Sequence, residues 1–446
     1  MKKLSLTLIL LFFSFGCESF VENAISPISY VNDDDINTAE NIPFLMNGVL
    51  NNYSRAHSYV SLWADLLSDA IVNDGKVQGS TDVRGEYLDN GIYDPTAGTY
   101  SPPYEAVAQA WRSARTLKNI LVDIEADASV YKSAYYTAYL YQALPCYLLG
   151  TYFGRGSSYP SDGGATLDKS AFKPSSELLL MATAYFDSAL VHADEEEIKI
   201  INSLLARQNL YSGNFSEAAD YASVGLQAGE EPFMAIPGLE DPWPNWYWTE
   251  AGNNRTRYTL ASRFKYLLGE DFVDSNSNGV WDSTEVFTDC ARPGADVGQG
   301  DGNYNGPTEP EESVRLSMSV AGMTPGESYS RYFQTKYPNA DSPIPIINWQ
   351  ETYLIIAELS LRGESVNISA IDAVNSVRSN YGLEALDEID LNILLHERDK
   401  ELFCQGQRII DQNRFPELLS WHISGLDTWH YLPIPYEEEL SNPLYP

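Results

Sequence analysis

The chain has 446 residues, enough for two or three ordinary domains or for one large helical-repeat body, and its 44% hydrophobic content can build a sizeable core. A formal net charge of −34, with no basic patch to offset it, excludes nucleic acid as a partner, because the phosphates would be repelled. Aromatic residues make up 12%, with 30 Tyr and 9 Trp, and rings that combine a flat apolar face with a polar edge suit sugars and interfaces as well as cores.

Met1-Lys2-Lys3 followed by the apolar run Leu4 to Phe15 reads as a signal peptide, residues 1–16, too short to span a bilayer. In Ser14-Phe15-Gly16-Cys17 a small residue precedes a cysteine at the end of that run. This resembles a bacterial lipoprotein processing site, with Cys17 as the lipidated residue. Residues 17–40 then read as the lipidated N-terminus and an acidic tether that includes Asp33-Asp34-Asp35. Beyond Cys17 the cysteines are Cys146, Cys290 and Cys404, an odd number that cannot all pair, so disulfides are not the main staple. Cys146 and Cys404 fall in helical patterns and read as small core residues.

Residues 41–228 read as the first part of a helical scaffold. The spacing predicts a helix from Ile42 past Tyr53, and a second over Tyr59 to Ile71 with Leu62, Trp63 and Leu66 on one face. Asn73 to Ser101 reads as a long loop rich in Gly, Asp and Tyr, and loops of this length within compact proteins are often functional. Pro103 to Ile124 and Tyr131 to Tyr152 pair as helices, and Ser175 to His192 repeats the pattern with Ser175 or Ser176 as its cap. Ile200 to Ala228 is broken at Gly213-Asn214 into a helix–turn–helix of tetratricopeptide (TPR) character, and the design recurs from Thr352 to Arg378 with a break near Gly363.

Between the two units, residues 229–348 form a loop-rich insert dense in Gly, Pro, Asn and Asp. Its stretch Asp241 to Trp248 holds Trp243, Trp246, Tyr247 and Trp248. Prolines in this run argue against a regular helix and for rings near the surface. Because a sugar ring stacks its apolar face on indole, Trp243, Trp246 and Trp248, with Tyr93 from the long loop, are the expected ligand-binding residues. The alternative is that these indoles form the insert's own small core.

The same insert carries Asp274-Ser-Asn276-Ser-Asn278-Gly279-Val280-Trp-Asp282-Ser-Thr-Glu285. Oxygen ligands fall at loop positions one, three, five, nine and twelve, the Val280 carbonyl at seven and glycine at six, which is the arrangement that wraps a calcium ion. Without a clean second helix after it, the segment reads as one isolated loop holding a structural calcium through Asp274, Asn276, Asn278, Val280, Asp282 and Glu285.

Residues 349–446 complete the scaffold. A helix from Leu391 past Asp411 would align Glu397, Glu401, Cys404, Arg408 and Asp411 as an ion-pair stripe, and Leu432-Pro433-Ile434-Pro435 would follow as an extended strap. Glu397-Arg398, Glu401-Leu402, Gly406, Arg408, Asp411, Arg414, the Leu432 to Pro435 strap, Glu437 or Glu438, and Asn442-Pro443 together resemble the C-terminal signature of the SusD/RagB family. Trp349 to Glu358, followed by Ala373 to Arg378, resembles that family's preceding helix pair. The resemblance implies a mainly α, TPR-like α/α superhelical scaffold with a loop-rich inserted lobe. It also implies a lipid-anchored nutrient-binding protein of the outer membrane, exposed at the cell surface.

The implied function is to bind a nutrient, a glycan or oligosaccharide, and pass it to a TonB-dependent, SusC-like transporter. Two alternatives use the same fold: a helical-repeat adaptor that scaffolds envelope proteins, and capture of a non-glycan nutrient such as peptide. No G-x-S-x-G, H-E-x-x-H or phosphate loop occurs and no cysteine has an obvious histidine partner, so the reading is a binding protein rather than an enzyme.

Overall fold

In the computed structural model, residues 37–73, 88, 101–154, 163–238, 244–252, 257–288, 303–304, 306–322, 331–419 and 430–445 are described. The expected mainly α, TPR-like scaffold is present. Its helices in chain order are α1 (Ile42–Leu67), α2 (Ser101–Asp123), α3 (Lys132–Tyr152), α4 (Ser175–Leu190), α5 (Glu195–Tyr211) and α6 (Phe215–Ser223). The insert contributes α7 (Trp246–Ala251) and α8 (Ser262–Leu268), and the chain closes with α9 (Trp349–Leu361), α10 (Ala370–Asn380), α11 (Leu391–Glu401), α12 (Arg408–Arg414) and α13 (Tyr436–Ser441).

The first helix is continuous, where two had been expected. Between the two expected helices the chain is held by the insert: Ser54 and Ser58 accept hydrogen bonds from the backbone N–H groups of Ile236 (3.0 Å) and Trp246 (2.8 Å). From Tyr53 onward α1 is buried on nearly every side and runs through the core, packed on α2 and α3. At α4 neither serine caps. Pro174 occupies the cap position, and the Ser175 N–H donates to the Gly163 carbonyl. By contrast α5 starts with a full capping box, Asp194 accepting from Glu196 and Glu197 while Glu197 reaches back to the Asp194 N–H.

The two TPR-like units, α5–α6 and α9–α10, are joined by a buried ion pair. Arg207 of α5 grips the Glu351 carboxylate of α9 and also donates to the Ile346 carbonyl. Both ends of the insert are zipped together, since Phe233–Ala235 pairs antiparallel with Ile344–Ile347, and Ile71–Asn73 at the end of α1 pairs with Tyr258–Leu260. The strap behaves as expected: Leu432–Pro433 lies parallel to Phe153–Gly154, and Ile434, which keeps its N–H, donates to the Gly154 carbonyl.

The expected single helix past Asp411 is corrected to two, α11 and α12. The chain turns at Cys404 (φ 55°) and Gly406 (φ 73°), so Cys404 is a buried turn residue and no common stripe exists. Gly406 is required because a Cβ there would lie 2.6 Å from the Ser61 Cα of α1. Each charge of the expected stripe finds another partner: Glu397 meets Arg315, Arg378 and Lys400, Glu401 accepts from the Tyr381 hydroxyl and faces Arg315, Arg408 meets Asp399, and Asp411 meets Arg398.

Gly406→Ala combines backbone strain with a clash against α1 and should lower unfolding stability by about 3 kcal/mol. Gly213→Ala, at φ 79° with open space around the position, should cost only about 1 kcal/mol in the same urea titration.

Candidate ligand-binding site

The aromatic run of the insert is helical where it was expected not to be. Pro244 precedes the helix rather than interrupting it. Asn245 then caps α7 by accepting from the Tyr247 (2.9 Å) and Trp248 (3.2 Å) N–H groups. Asn245 is itself fixed, its N–H donating to the Ala340 carbonyl and its side-chain amide to the Ser342 carbonyl.

Successive residues of α7 point to different environments. Tyr247 is fully buried, its hydroxyl donating to the Asp65 carboxylate at 2.6 Å and its ring packed 5.3 Å from Tyr337. Trp246 and Trp248, on either side of it, are half-buried. Trp246 stacks on Tyr59 of α1 at 4.2 Å and 25°, and Arg55 lies over the Tyr59 ring at 5.6 Å. The Trp246 Nε1 is buried with no partner among the described residues, so this residue offers solvent ring carbon rather than its N–H. Trp243 and Tyr93 lie outside the described residues. Sequence reasoning missed Tyr59 and Arg55, which come from the scaffold; their spacing of four on one helix was the available signal.

Asp65 locks this surface to the rest of the molecule. Besides the Tyr247 hydroxyl it accepts the Gly406 N–H at 3.1 Å, so one carboxyl joins α1, the insert and the α11–α12 turn. Burial pushes it up to about 7, against the pull of these two hydrogen bonds.

In the expected calcium loop the oxygens are organised by backbone donors. Asp274 accepts from the Asn278 (3.1 Å) and Gly279 (2.8 Å) N–H groups, and Asn278 from Val280 (2.7 Å). Glu285 accepts from Ser275 (2.8 Å) and Asp282 (3.2 Å), and Asn276 donates across the loop to Asp282 at 3.0 Å. Gly279 has φ 74°, as the sharp bend requires. Behind the loop Trp281 stacks on Tyr304 at 4.6 Å, with Phe272 and Phe287 edge-on to Tyr304. Among the described residues no group of three or more His, Cys, Asp or Glu side chains is gathered as a metal cluster; the loop's remaining donors are carboxamide and carbonyl oxygens, which suit a hard cation. Cys17 and Cys290 lie outside the described residues, and no described helix is long and apolar enough to cross a membrane.

Comparison with known proteins places this helical-repeat scaffold and its docked insert. Residues 235–443 match the model of the SusD family. The fold is similar to that of a SusD superfamily protein from Bacteroides vulgatus (15% identity, TM-score 0.61, covering 92% of this chain and 99% of that one). It is also similar to a laminarin-binding SusD-like protein (17%, 0.54, 91% and 98%) and to surface glycan-binding protein A from Bacteroides thetaiotaomicron (15%, 0.56, 91% and 98%). No curated protein matches the chain. This is a helical-repeat protein with an inserted lobe, and over residues 235–443 it matches the SusD family.

Asp65→Asn tests the lock through pH. The folded-state carboxyl holds its proton up to about pH 7, whereas the unfolded one releases it near 3.8. Its contribution is therefore full below about pH 4 and is lost as pH rises through about 7. Thermal melts from pH 4 to 8 should show the wild type losing up to about 4 kcal/mol relative to the Asn variant across that window; parallel pH profiles would count against the assignment.

Proposed function

We propose that this protein is a cell-surface lipoprotein, anchored to the outer membrane through Cys17, that captures a glycan or oligosaccharide and hands it to a TonB-dependent, SusC-like transporter. It acts by binding and not by catalysis. The observation that carries this reading is the half-buried pair Trp246 and Trp248 on a short capped helix, with Trp246 backed by Tyr59. A ring held rigidly from behind loses little freedom when a sugar face stacks on it, so the platform is preorganised. Tyr93 and Trp243 complete the proposed surface on sequence grounds. The SusD family match over residues 235–443 and the likeness to a laminarin-binding and a glycan-binding protein support the ligand class.

We further propose that the Asp274 to Glu285 loop holds a structural calcium through Asp274, Asn276, Asn278, the Val280 carbonyl, Asp282 and Glu285. The ion would neutralise the loop carboxylates and fix the Trp281–Tyr304 stack.

Intrinsic tryptophan fluorescence, titrated with oligosaccharides such as laminarin fragments, should saturate. Trp246→Ala and Trp248→Ala should each weaken binding at least about tenfold, roughly 1.4 kcal/mol, while leaving the helical circular dichroism intact; unchanged affinity in both would overturn the platform. A saturable response to peptides alone would move the protein to a different nutrient.

Chelation should lower the melting temperature by at least about 2 °C and alter Trp281 emission, with both effects reversed by added calcium and absent in Asp274→Ala. Identical melting with and without chelator would remove the ion from the proposal.

A further inference from the structure

The backbone of Trp246 is held firmly, its N–H donating to the Ser58 hydroxyl at 2.8 Å, but its indole Nε1 is buried with no partner among the described residues. No hydrogen bond from a described residue therefore sets the tilt of the ring. The indole instead lies on Tyr59, at 4.2 Å and 25°, so its tilt follows that of a side chain on α1.

Tyr59 is held in turn from its own helix. Arg55 stands one turn earlier, and its guanidinium lies 5.6 Å from the centre of the Tyr59 ring, within reach of cation–π attraction. Arg55 also extends to α2, where its Nη1 donates to the Gln109 Oε1 at 3.3 Å. Amide, guanidinium, phenol and indole thus form one column, from an exposed position on α2 to the half-buried Trp246 of α7. Arginine suits the middle of such a column, because its planar group can stack on a ring while its N–H groups hold a partner to the side. Arg55 and Tyr59 are half-buried and make further contacts, so the column is one restraint among several and its loss should be felt as a few-fold effect.

We propose that Arg55 is a positioning residue of the ligand platform: it holds Tyr59, and through Tyr59 the Trp246 indole, in the attitude on which a sugar ring stacks. Gln109 is the outer anchor of the column. Neither residue is required to touch the sugar. A ring that is already held still loses less freedom on binding than one that swings, so the column raises affinity through preorganisation. That the platform takes a sugar rests on the function proposed above; that Arg55 sets the ring rests on the contacts alone.

Fluorine NMR of the protein labelled with fluorotryptophan tests the column with no ligand present. The Trp246 resonance is identified by its loss in Trp246→Phe. Arg55→Met keeps an apolar stem and removes the cation; it should shift the Trp246 resonance and speed the motion of the ring, leaving that of Trp349, buried in the scaffold, where it is. Arg55→Lys, which keeps a cation over the ring, should restore most of the wild-type signal. Gln109→Ala, at an exposed position, should move the resonance in the same direction as Arg55→Met, and Gln109→Glu, which keeps an acceptor for Arg55, should not. An unmoved Trp246 resonance in Arg55→Met, or one that moves together with Trp349, overturns the column. Titration with laminarin oligosaccharides tests its use: affinity should fall about two- to fivefold in Arg55→Met and recover in Arg55→Lys. A shifted resonance with unchanged affinity overturns the positioning role. If the wild-type protein binds no oligosaccharide, the function proposed above fails, while the Trp246 resonance still decides whether Arg55 holds the ring.

Discussion

The structure depends on a buried lattice of charge at the junction of three distant segments. Arg315, at the end of the insert's 3-10 turn Pro310–Val314, binds Glu312 at 2.7 Å and Glu397 of α11 at 2.9 Å. Arg378 of the second TPR-like unit reaches the same two glutamates at 3.2 and 2.9 Å, and Lys400 reaches them at 2.9 and 2.6 Å. Glu309 joins from the edge, its carboxyl held down at about 2 by hydrogen bonds from His396 and Lys400 despite its partial burial. Taking such groups out of water costs several kcal/mol per ion, so the lattice adds little net stability over an apolar core of the same shape. Its value is register, because each ion left unpaired would be heavily penalised, and the insert, the repeat and the C-terminal helix can dock in only one way.

The spine of the molecule works on the same principle with neutral groups. Along one helix, α1, Ser54 and Ser58 accept backbone donors from the insert and Asp65 accepts one from Gly406 and a hydroxyl from Tyr247. The aromatic helix α7 is therefore not a freely attached arm. Its Tyr247 is anchored in the core, and the flanking indoles are held at the boundary between core and solvent. For the proposed platform this means a rigid surface presented without a deep pocket.

Much of this was legible in the sequence, and the misses have physical causes. The TPR-like units, the break at Gly213 and the extended strap followed from periodicity and from proline and glycine chemistry. Two helices were expected where α1 is continuous, because the backbone donors that Ser54 and Ser58 accept lie 182 and 188 residues away and are invisible to local spacing. One helix was expected where α11 and α12 are separate, because the left-handed turn at Cys404 and Gly406 answers to the backbone of Ser61 rather than to local propensity. The charges expected as one stripe lie on two separate helices, and their pairings were set by approach of other segments. Of the proposed platform, the indoles of α7 could be picked out by composition, whereas Tyr59 behind Trp246 could not, since the pair is assembled from segments well over a hundred residues apart.

The sequence by itself determined the class of scaffold, the family signature and the chemistry available in the insert, because hydrophobic period, turn residues and ligand spacing are local properties carried along the chain. The tertiary structure decided which charges pair, which tryptophan faces meet solvent and which arginines converge on one carboxylate. These depend on close approach between remote segments, where burial turns a weak surface preference into a constraint worth several kcal/mol.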